Sequence, residues 1–313
     1  MEKPRVLITR RLALAPPSVL GAGIQIDQHD SEAALPRDEL LRRVRSASAL
    51  LPVLGDRIDR ELLDAAPRLR VVANHAVGYD NVDVPACTAR GVWVTNTPDV
   101  LTDATADLTW ALILALARRL REGERMLRAG DFRGWAPTML LGRELRDRTL
   151  GILGYGRIGR AVARRAEGFG MRILFTARGG GVPFDQLLQQ SDVLSVHCPL
   201  TPQTRHLIGP VELLRMKRGA LLVNTARGPI VDEGALVAAL ESGHLGGAAL
   251  DVFEEEPDVH PGLIGRDDVV LLPHLGSATQ EAREKMAHIA LTQIERVLRG
   301  ERPTTAVNEL ARP

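Results

Sequence analysis

Three charged residues stand just after apolar runs in the second half of the chain, and together they could move a proton and hold a carboxylate. His274 lies in Leu271-Leu272-Pro273-His274-Leu275-Gly276, Arg227 in Asn224-Thr225-Ala226-Arg227-Gly228, and Glu256 in Asp251-Val252-Phe253-Glu254-Glu255-Glu256-Pro257. Histidine titrates near neutrality and suits a proton donor at a carbonyl oxygen. A nearby carboxylate favours the imidazolium and fixes its tautomer. Arginine grips a carboxylate and polarises the adjoining carbonyl. Reduction of a 2-keto acid needs these three functions. Each residue alone has a plainer reading: a hydrogen-bonded core histidine, a helix-capping arginine, a solvated acidic loop. Their recurrence at strand ends of one nucleotide-binding region favours a joint role, because open α/β sheets bind ligands at the carboxyl ends of their strands.

That region is marked by Thr149-Leu150-Gly151-Ile152-Leu153-Gly154-Tyr155-Gly156-Arg157-Ile158-Gly159. The apolar run Leu150 to Leu153 feeds a G-x-G-x-x-G. A helical pattern follows, with Ile158, Ala161, Val162, Ala166 and Phe169 at three- and four-residue spacing, and Met171 to Phe175 closes a βαβ unit. Gly154 permits the tight turn, Gly156 lets the backbone approach a pyrophosphate, and Gly159 lets the helix pack on the strand. The pyrophosphate would rest on the helix N-terminus. An NAD-type site carries Asp or Glu at the end of the second strand to bind the ribose 2′-hydroxyl. Here that end reads Phe175-Thr176-Ala177-Arg178. Ala177 leaves room and Arg178 offers a fork that matches a 2′-phosphate, which favours NADP(H), with NAD(H) possible. The alternative for Arg178 is a solvated loop residue.

The elements that would position these residues follow a strand–helix rhythm. Arg5 to Thr9, Leu50 to Val53, Leu69 to Ala73 and Gly91 to Asn96 read as strands of a first domain. Thr97-Pro98 breaks the pattern, and one long helix is expected from about Thr102 to Ala129. Asp131 to Leu141, with Trp135 and Pro137, reads as a loop. Later strands are expected at Val193 to His197, Ala220 to Asn224, Gly247 to Val252 and Val269 to Leu272, and a last helix at about Thr279 to Leu298. The expected fold is α/β: two Rossmann-like, doubly wound parallel-sheet domains. A nucleotide-binding domain over 99–279 is inserted into a flavodoxin-like substrate domain over 1–98 and 280–313, with a cleft between them for cofactor and substrate.

Composition excludes several classes. The chain has 313 residues, 45% apolar, and a net charge of +1, which argues against a nucleic-acid or membrane partner held by bulk charge. Lysine occurs only at positions 3, 217 and 285, so the 40 basic residues are nearly all arginine, and they alternate with acids in runs such as Arg118 to Arg128. Cys87 and Cys198 form no disulfide framework and read as free buried thiols. No cluster has metal-ligand spacing. The start, Met1-Glu2-Lys3-Pro4, lacks a signal-peptide pattern. The longest apolar run, Leu108 to Ala117, is well short of the roughly 20 residues a membrane span needs, so a cytoplasmic location is expected.

From about Val71 to Thr279 the chain resembles the D-isomer-specific 2-hydroxyacid dehydrogenases, and most of all their glyoxylate/hydroxypyruvate reductase branch. The matching stretches are Asn74-His75-Ala76-Val77-Gly78-Tyr79-Asp80-Asn81-Val82-Asp83, the glycine fingerprint, His197-Cys198-Pro199-Leu200-Thr201-Pro202, Asn224 to Gly228, Asp251-Val252-Phe253 with Glu256-Pro257, and Pro273-His274. The resemblance implies an enzyme whose catalytic set falls on Arg227, Glu256 and His274. It implies that Val77 and Gly78 offer backbone N–H groups to the substrate carboxylate, beside Arg227 and His274. It implies cofactor contacts from Gly154, Tyr155, Gly156, Arg157, Ile158, Gly159, Ala177, Arg178, His197, Cys198, Pro199, Thr204, Thr225, Ala226, Arg227, Asp251, His274 and Gly276, with Asp251 on the nicotinamide carboxamide. Gly134-Trp135-Ala136-Pro137-Thr138 is typical of the reductase branch, where it packs at a homodimer interface and Trp135 reaches toward the partner's substrate site. Two departures stand out. The segment between Glu256 and His274 is short for the family, and Gly179 to Gly181 replaces residues that often include a second basic group. Alternatives with the same motifs are a dehydrogenase of a bulkier D-2-hydroxy acid and a nucleotide-sensing corepressor-type binding protein. A formate-oxidising relative is disfavoured, since that branch usually carries Gln where Glu256 stands.

Overall fold

Parallel strands covered on both faces read as unbroken apolar runs, and the runs anticipated above form two such sheets. The computed structural model describes residues 3–310; Met1 and Glu2, which open the segment read for a targeting signal, lie outside the described residues, as do residues 311–313. The chain divides into two units, Met1–Leu101 with Ala278–Pro313, and Thr102–Ser277.

The first unit holds β1 (Arg5–Ile8), β2 (Gln25–Gln28), α1 (Arg37–Val44), β3 (Ala49–Leu51), α2 (Arg60–Ala65), β4 (Val71–Ala73), α3 (Val84–Ala89) and β5 (Trp93–Thr95), and the helix Gln280–Leu298 returns to it. Its strands are all parallel, in the order β2-β1-β3-β4-β5, which is the flavodoxin-like order. Alternate residues point to opposite faces. Leu50, Val72 and Val94 pack with Leu40, Leu62 and Cys87 of the helices on one side. Leu51, Val71 and Ala73 pack with Ala290, Leu291 and Ile294 on the other. Strand β2 was not anticipated. Its sequence Gln25-Ile26-Asp27-Gln28 is polar because it is an edge, and Asp27 is held by Arg5 at 2.6 Å and by Arg43.

The second unit holds α4 (Thr102–Ala117), α5 (Leu120–Arg128), β6 (Thr149–Leu153), α6 (Arg157–Ala166), β7 (Arg172–Ala177), β8 (Gly180–Gly181), α7 (Phe184–Gln190), β9 (Val193–Val196), α8 (Pro210–Arg215), β10 (Leu221–Asn224), α9 (Glu233–Glu241), β11 (Gly247–Leu250) and β12 (Val269–Leu271). The sheet order is β12-β11-β10-β9-β6-β7-β8. Counted from β6, that is the Rossmann order with its third strand reduced to a two-residue antiparallel stub. Strands β6, β9, β10 and β11 are buried at every position. The fold class read from the sequence is therefore the fold observed. The terminal helix Gln280–Leu298, α10, starts at Thr279, whose side chain accepts from the Ala282 N–H at 3.2 Å.

One long helix over 102–129 is not what forms. The chain breaks between α4 and α5, with Arg119 left-handed at φ 53°. The Arg143 N–H caps the open end by donating to the Ala117 carbonyl at 2.7 Å. No glycine or proline marks the break, so hydrophobic spacing alone runs through it. Residues 129–148 form neither helix nor strand. No helix among the described residues is long and apolar enough to cross a membrane.

Candidate active site

The glycine turn sits where β6 meets β9, the point at which the strand order reverses in the second unit. Gly154 has φ 98°, and a Cβ there would overlap the backbone of His197 and Cys198 at the end of β9. A Cβ on Gly159 would overlap the Gly154 carbonyl. Gly156 differs: a Cβ there meets nothing within 4 Å. Its lack of a side chain serves no protein neighbour, which fits a ligand lying over it. Gly156 is also the N-cap of α6, and no side chain caps that terminus. The first-turn amides of a helix have no intrahelical acceptor, so a dinucleotide pyrophosphate fits here by charge and by space. Arg178 is exposed at the two-residue turn between β7 and β8. Gly181, in β8 just past that turn, has φ 96°, and a Cβ there would overlap the Phe175 carbonyl. Beneath it, Phe175 stacks on Tyr155 with ring centroids 3.9 Å apart.

The His197 and Cys198 backbone lies against the Gly154 turn, and burial disfavours the charged form of both side chains. His197 Nε2 is 2.8 Å from the Ser195 hydroxyl, and burial drives its pKa down to about 3. Burial pushes the Cys198 thiol up to about 11 and the Cys87 thiol up to about 12. Both cysteines are free, and Cys198 is only half-buried. Thr204 closes the loop after β9, donating to the Pro199 carbonyl at 2.7 Å.

The three charged residues come together within the second unit. His274 Nδ1 is 2.9 Å from Glu256 Oε2. Burial alone would raise the Glu256 pKa; the His274 hydrogen bond and charge, the Phe253 N–H at 3.1 Å and the Arg227 charge outweigh it and hold it low. Asn224 shapes the Arg227 turn, accepting from the Ala226 N–H at 3.0 Å and donating to the Arg227 carbonyl at 2.8 Å. Asp251 is fully buried and shapes the His274 turn. Its two oxygens accept from Leu275 N–H at 2.6 Å and Gly276 N–H at 2.8 Å, while its carbonyl accepts from His274 N–H at 2.9 Å. His274 is thereby fixed in the left-handed region at φ 55°.

Several supports were not read from the sequence. Gly228 crosses the Phe253–Glu254 backbone so closely that a Cβ would overlap Phe253 C and O and Glu254 N. Glu254 accepts from the Glu233 N–H and donates its own N–H to Glu233 Oε1, both at 2.8 Å, and its other oxygen meets His206 Nε2 at 2.6 Å. The His206 N–H donates to Pro229 at 2.8 Å. The loops carrying Arg227 and Glu256 are thus tied to each other and to the loop after β9. On the other side, Thr105 donates to the Gly276 carbonyl at 2.9 Å, and Thr109 meets the Thr225 hydroxyl at 3.0 Å. The only available signal was type: polar residues on the otherwise apolar α4, an acid opening α9 and an acid shortly after β11.

Val77 and Gly78 lie in the first unit, half-buried in the loop after β4. Trp135 is 80% exposed on segment 129–148, beside exposed Phe132 and Leu141. The second unit has cavities of about 360 and 240 Å³ lined by Leu221, Gly246 and Asp268 and by Val193, Lys217 and Ala220. They open at the amino ends of the strands and touch none of the candidate site residues. No cluster of metal-ligating side chains occurs among the described residues.

A glycine turn at the switch point of a Rossmann sheet, with a histidine–carboxylate pair and an arginine at neighbouring strand ends, defines a nicotinamide-dependent oxidoreductase. The chain belongs to the D-isomer specific 2-hydroxyacid dehydrogenase family, whose NAD-binding domain matches residues 110–276. It is 48% identical to a glyoxylate reductase of Thermococcus onnurineus, over 98% of this chain and 96% of that one. Among solved structures it is similar to the TT0316 protein of Thermus thermophilus, with TM-score 0.93 and 46% identity over 97% of this chain and 100% of that one. It is also similar to the NADPH-dependent glyoxylate/hydroxypyruvate reductase of Sinorhizobium meliloti in complex with NADP and malonate, with TM-score 0.85 and 34% identity over 99% of each chain.

Proposed function

We propose that this enzyme reduces a small 2-keto acid of the glyoxylate or hydroxypyruvate kind to the D-2-hydroxy acid, with NADP(H) preferred and NAD(H) as the alternative. The observation that carries the reading is the 2.9 Å pair of His274 Nδ1 and Glu256 Oε2, with the Arg227 charge acting on the same carboxylate. Reduced nicotinamide, when bound, supplies the hydride. Gly154 to Gly159 would hold the pyrophosphate, and Arg178 would supply the charge for a 2′-phosphate. Asp251, fully buried under the Leu275 and Gly276 amides, would serve the nicotinamide carboxamide, with Thr225, Ala226 and Gly276 beside it. His274 commits Nδ1 to Glu256, so Nε2 delivers the proton to the carbonyl oxygen. Glu256 orients the imidazole and sets a negative charge beside it. Arg227 grips the carboxylate and polarises the carbonyl, helped by the Val77 and Gly78 amides. The exposed apolar residues Leu127, Phe132, Trp135 and Leu141 support a homodimer that covers them, with Trp135 reaching the partner's substrate site.

The test is NADPH and NADH oxidation over glyoxylate, hydroxypyruvate, pyruvate and a bulky aryl keto acid. Turnover of the two small acids with NADPH is expected, and Arg178→Ala should weaken NADPH more than NADH. His274→Ala should lower kcat by about 10²–10⁴-fold while nucleotide affinity is retained; unchanged turnover removes His274 from its role. Preference for the bulky acid moves the substrate assignment, and nucleotide binding with no keto-acid reduction favours a sensing protein.

A further inference from the structure

Three successive carbonyls after β4 are gripped by the scaffold around them. The Ala76 carbonyl accepts the Thr97 N–H at 2.9 Å. The Val77 carbonyl accepts Asn96 Nδ2 at 2.8 Å, and the Gly78 carbonyl accepts Asn74 Nδ2 at 2.9 Å. In a trans peptide, a carbonyl and the next residue's N–H point in opposite directions, and the peptides of this loop are trans. The N–H groups of Val77, Gly78 and Tyr79 are therefore turned away from β4 and β5. None of the three donates a hydrogen bond to any described residue. Consecutive backbone N–H groups held this way are an anion-binding feature.

The two asparagines are themselves held. Asn74 is fully buried, and its amide is paired with Asn81 at 3.1 and 3.2 Å. Asn81 in turn donates to the Val53 carbonyl at 3.2 Å and the Asp56 carbonyl at 3.0 Å. Asn96 lies between Thr95 and Thr97, and its backbone is tied to Thr305 through the hydroxyl donated to its carbonyl at 2.8 Å. Aspartate in either place would set an oxygen against a carbonyl and add negative charge beside an anion site. Asparagine supplies the donor without the charge.

We infer that Asn74 and Asn96 are positioning residues for the substrate carboxylate: by fixing the Gly78 and Val77 carbonyls they aim the Tyr79 and Gly78 N–H groups at it. This rests on the 2-keto acid reading above and adds a third amide, Tyr79, to the two already assigned. The asparagines touch the peptide planes and not the substrate, so their loss should act on carboxylate affinity far more than on the rate of the bound complex.

The experiment uses the full chain with NADPH and glyoxylate, with oxalate as a carboxylate inhibitor that cannot be reduced. Asn96→Ala should raise the glyoxylate KM and the oxalate Ki together, by about tenfold, the usual consequence of one lost hydrogen bond. Asn96→Asp should raise both further. Both variants should keep kcat within about threefold and the NADPH KM within about twofold of the parent, since the nucleotide residues lie in the other unit. Thermal melting and NADPH binding establish that the variants are folded. An unchanged oxalate Ki in folded Asn96→Asp overturns the inference and leaves the reductase reading standing if Arg227→Ala still abolishes turnover. A parent enzyme that reduces no 2-keto acid overturns the reading itself and the inference with it.

Discussion

Gly228 offers the sharpest test of how the candidate site's loops are assembled. It is buried, and it is where the loop carrying Arg227 passes over the loop carrying Glu256. In Gly228→Ala, the new methyl would fall on Phe253 C and O and on Glu254 N, all backbone atoms that cannot rotate aside. Restoring an ordinary contact of roughly 3.5 Å requires the two backbones to part by on the order of 1.5 Å. Misplacement of about 1 Å costs about a hundredfold in rate when groups must act together on one substrate. The expected outcome is a loss of at least about a hundredfold in kcat/KM for the keto acid, about 2.7 kcal/mol of transition-state stabilisation. Nucleotide affinity should fall far less, because the Gly154 turn is built on β6 and β9 and only the nicotinamide end is proposed to meet Thr225 and Ala226 on the displaced loop. The assay is steady-state kinetics beside fluorescence titration of NADPH. Adding Phe253→Ala should not rescue the variant, since the obstruction is main chain. A variant with parental kcat/KM would refute the view that this crossing sets the spacing of Arg227 and Glu256.

Three further outcomes follow from the same geometry. Glu256→Gln keeps the acceptor for the Phe253 N–H but removes the charge facing His274; steady-state kinetics should show keto-acid reduction slowed by about 10²-fold with NADPH affinity retained, and a parental kcat would contradict the pairing. His75, at the root of the 76–79 loop, is 7% exposed, and burial chiefly, with the Arg283 charge, drives it from 6.5 down to about 4. Below pH 6.5 the unfolded chain takes up a proton that the folded one refuses, so stability is full above that pH and falls toward pH 4, by roughly 3 kcal/mol in all. Urea denaturation at pH 7.5 and 4.5 should show a fall in the parent that is smaller in His75→Phe by the His75 share, the rest coming from groups such as His197; equal pH slopes would contradict it. Glu254→Ala strands the Glu233 N–H and leaves His206 without its carboxylate, which should cost about 1–3 kcal/mol in urea denaturation and lower kcat/KM several-fold without changing NADPH affinity.

Much of the site was legible because each chemistry-bearing residue follows a strand that hydrophobicity marks. Leu221–Asn224 leads to Arg227, Gly247–Leu250 to Glu256 and Val269–Leu271 to His274, and in a parallel sheet those ends lie side by side. The glycine fingerprint was legible for a related reason: Gly154 and Gly159 answer steric demands made by the strand and helix that immediately flank them. Other features came from demands with no local mark. The helix break at Arg119 is a left-handed arginine in a run that still looks helical, and β2 and β8 carry too few apolar side chains to register as strands.

The residues that hold the Arg227, Glu256 and His274 loops in place escaped notice because their partners are remote in the chain. Glu254 meets Glu233, 21 residues away, and Thr109 meets Thr225, 116 residues away. Neither separation has a period, and neither acid differs in type from those on a solvated surface. Asn74 and Asn96 show the point most clearly. They lie in stretches already singled out, one beside the substrate loop and one before Thr97-Pro98, yet their importance depends on which carbonyl each amide reaches. A sequence displays which groups can donate a proton or grip an anion. The orientation of a peptide plane is decided only once two strand ends are brought together, and here it leaves the N–H groups of Val77, Gly78 and Tyr79 with no partner among the described residues.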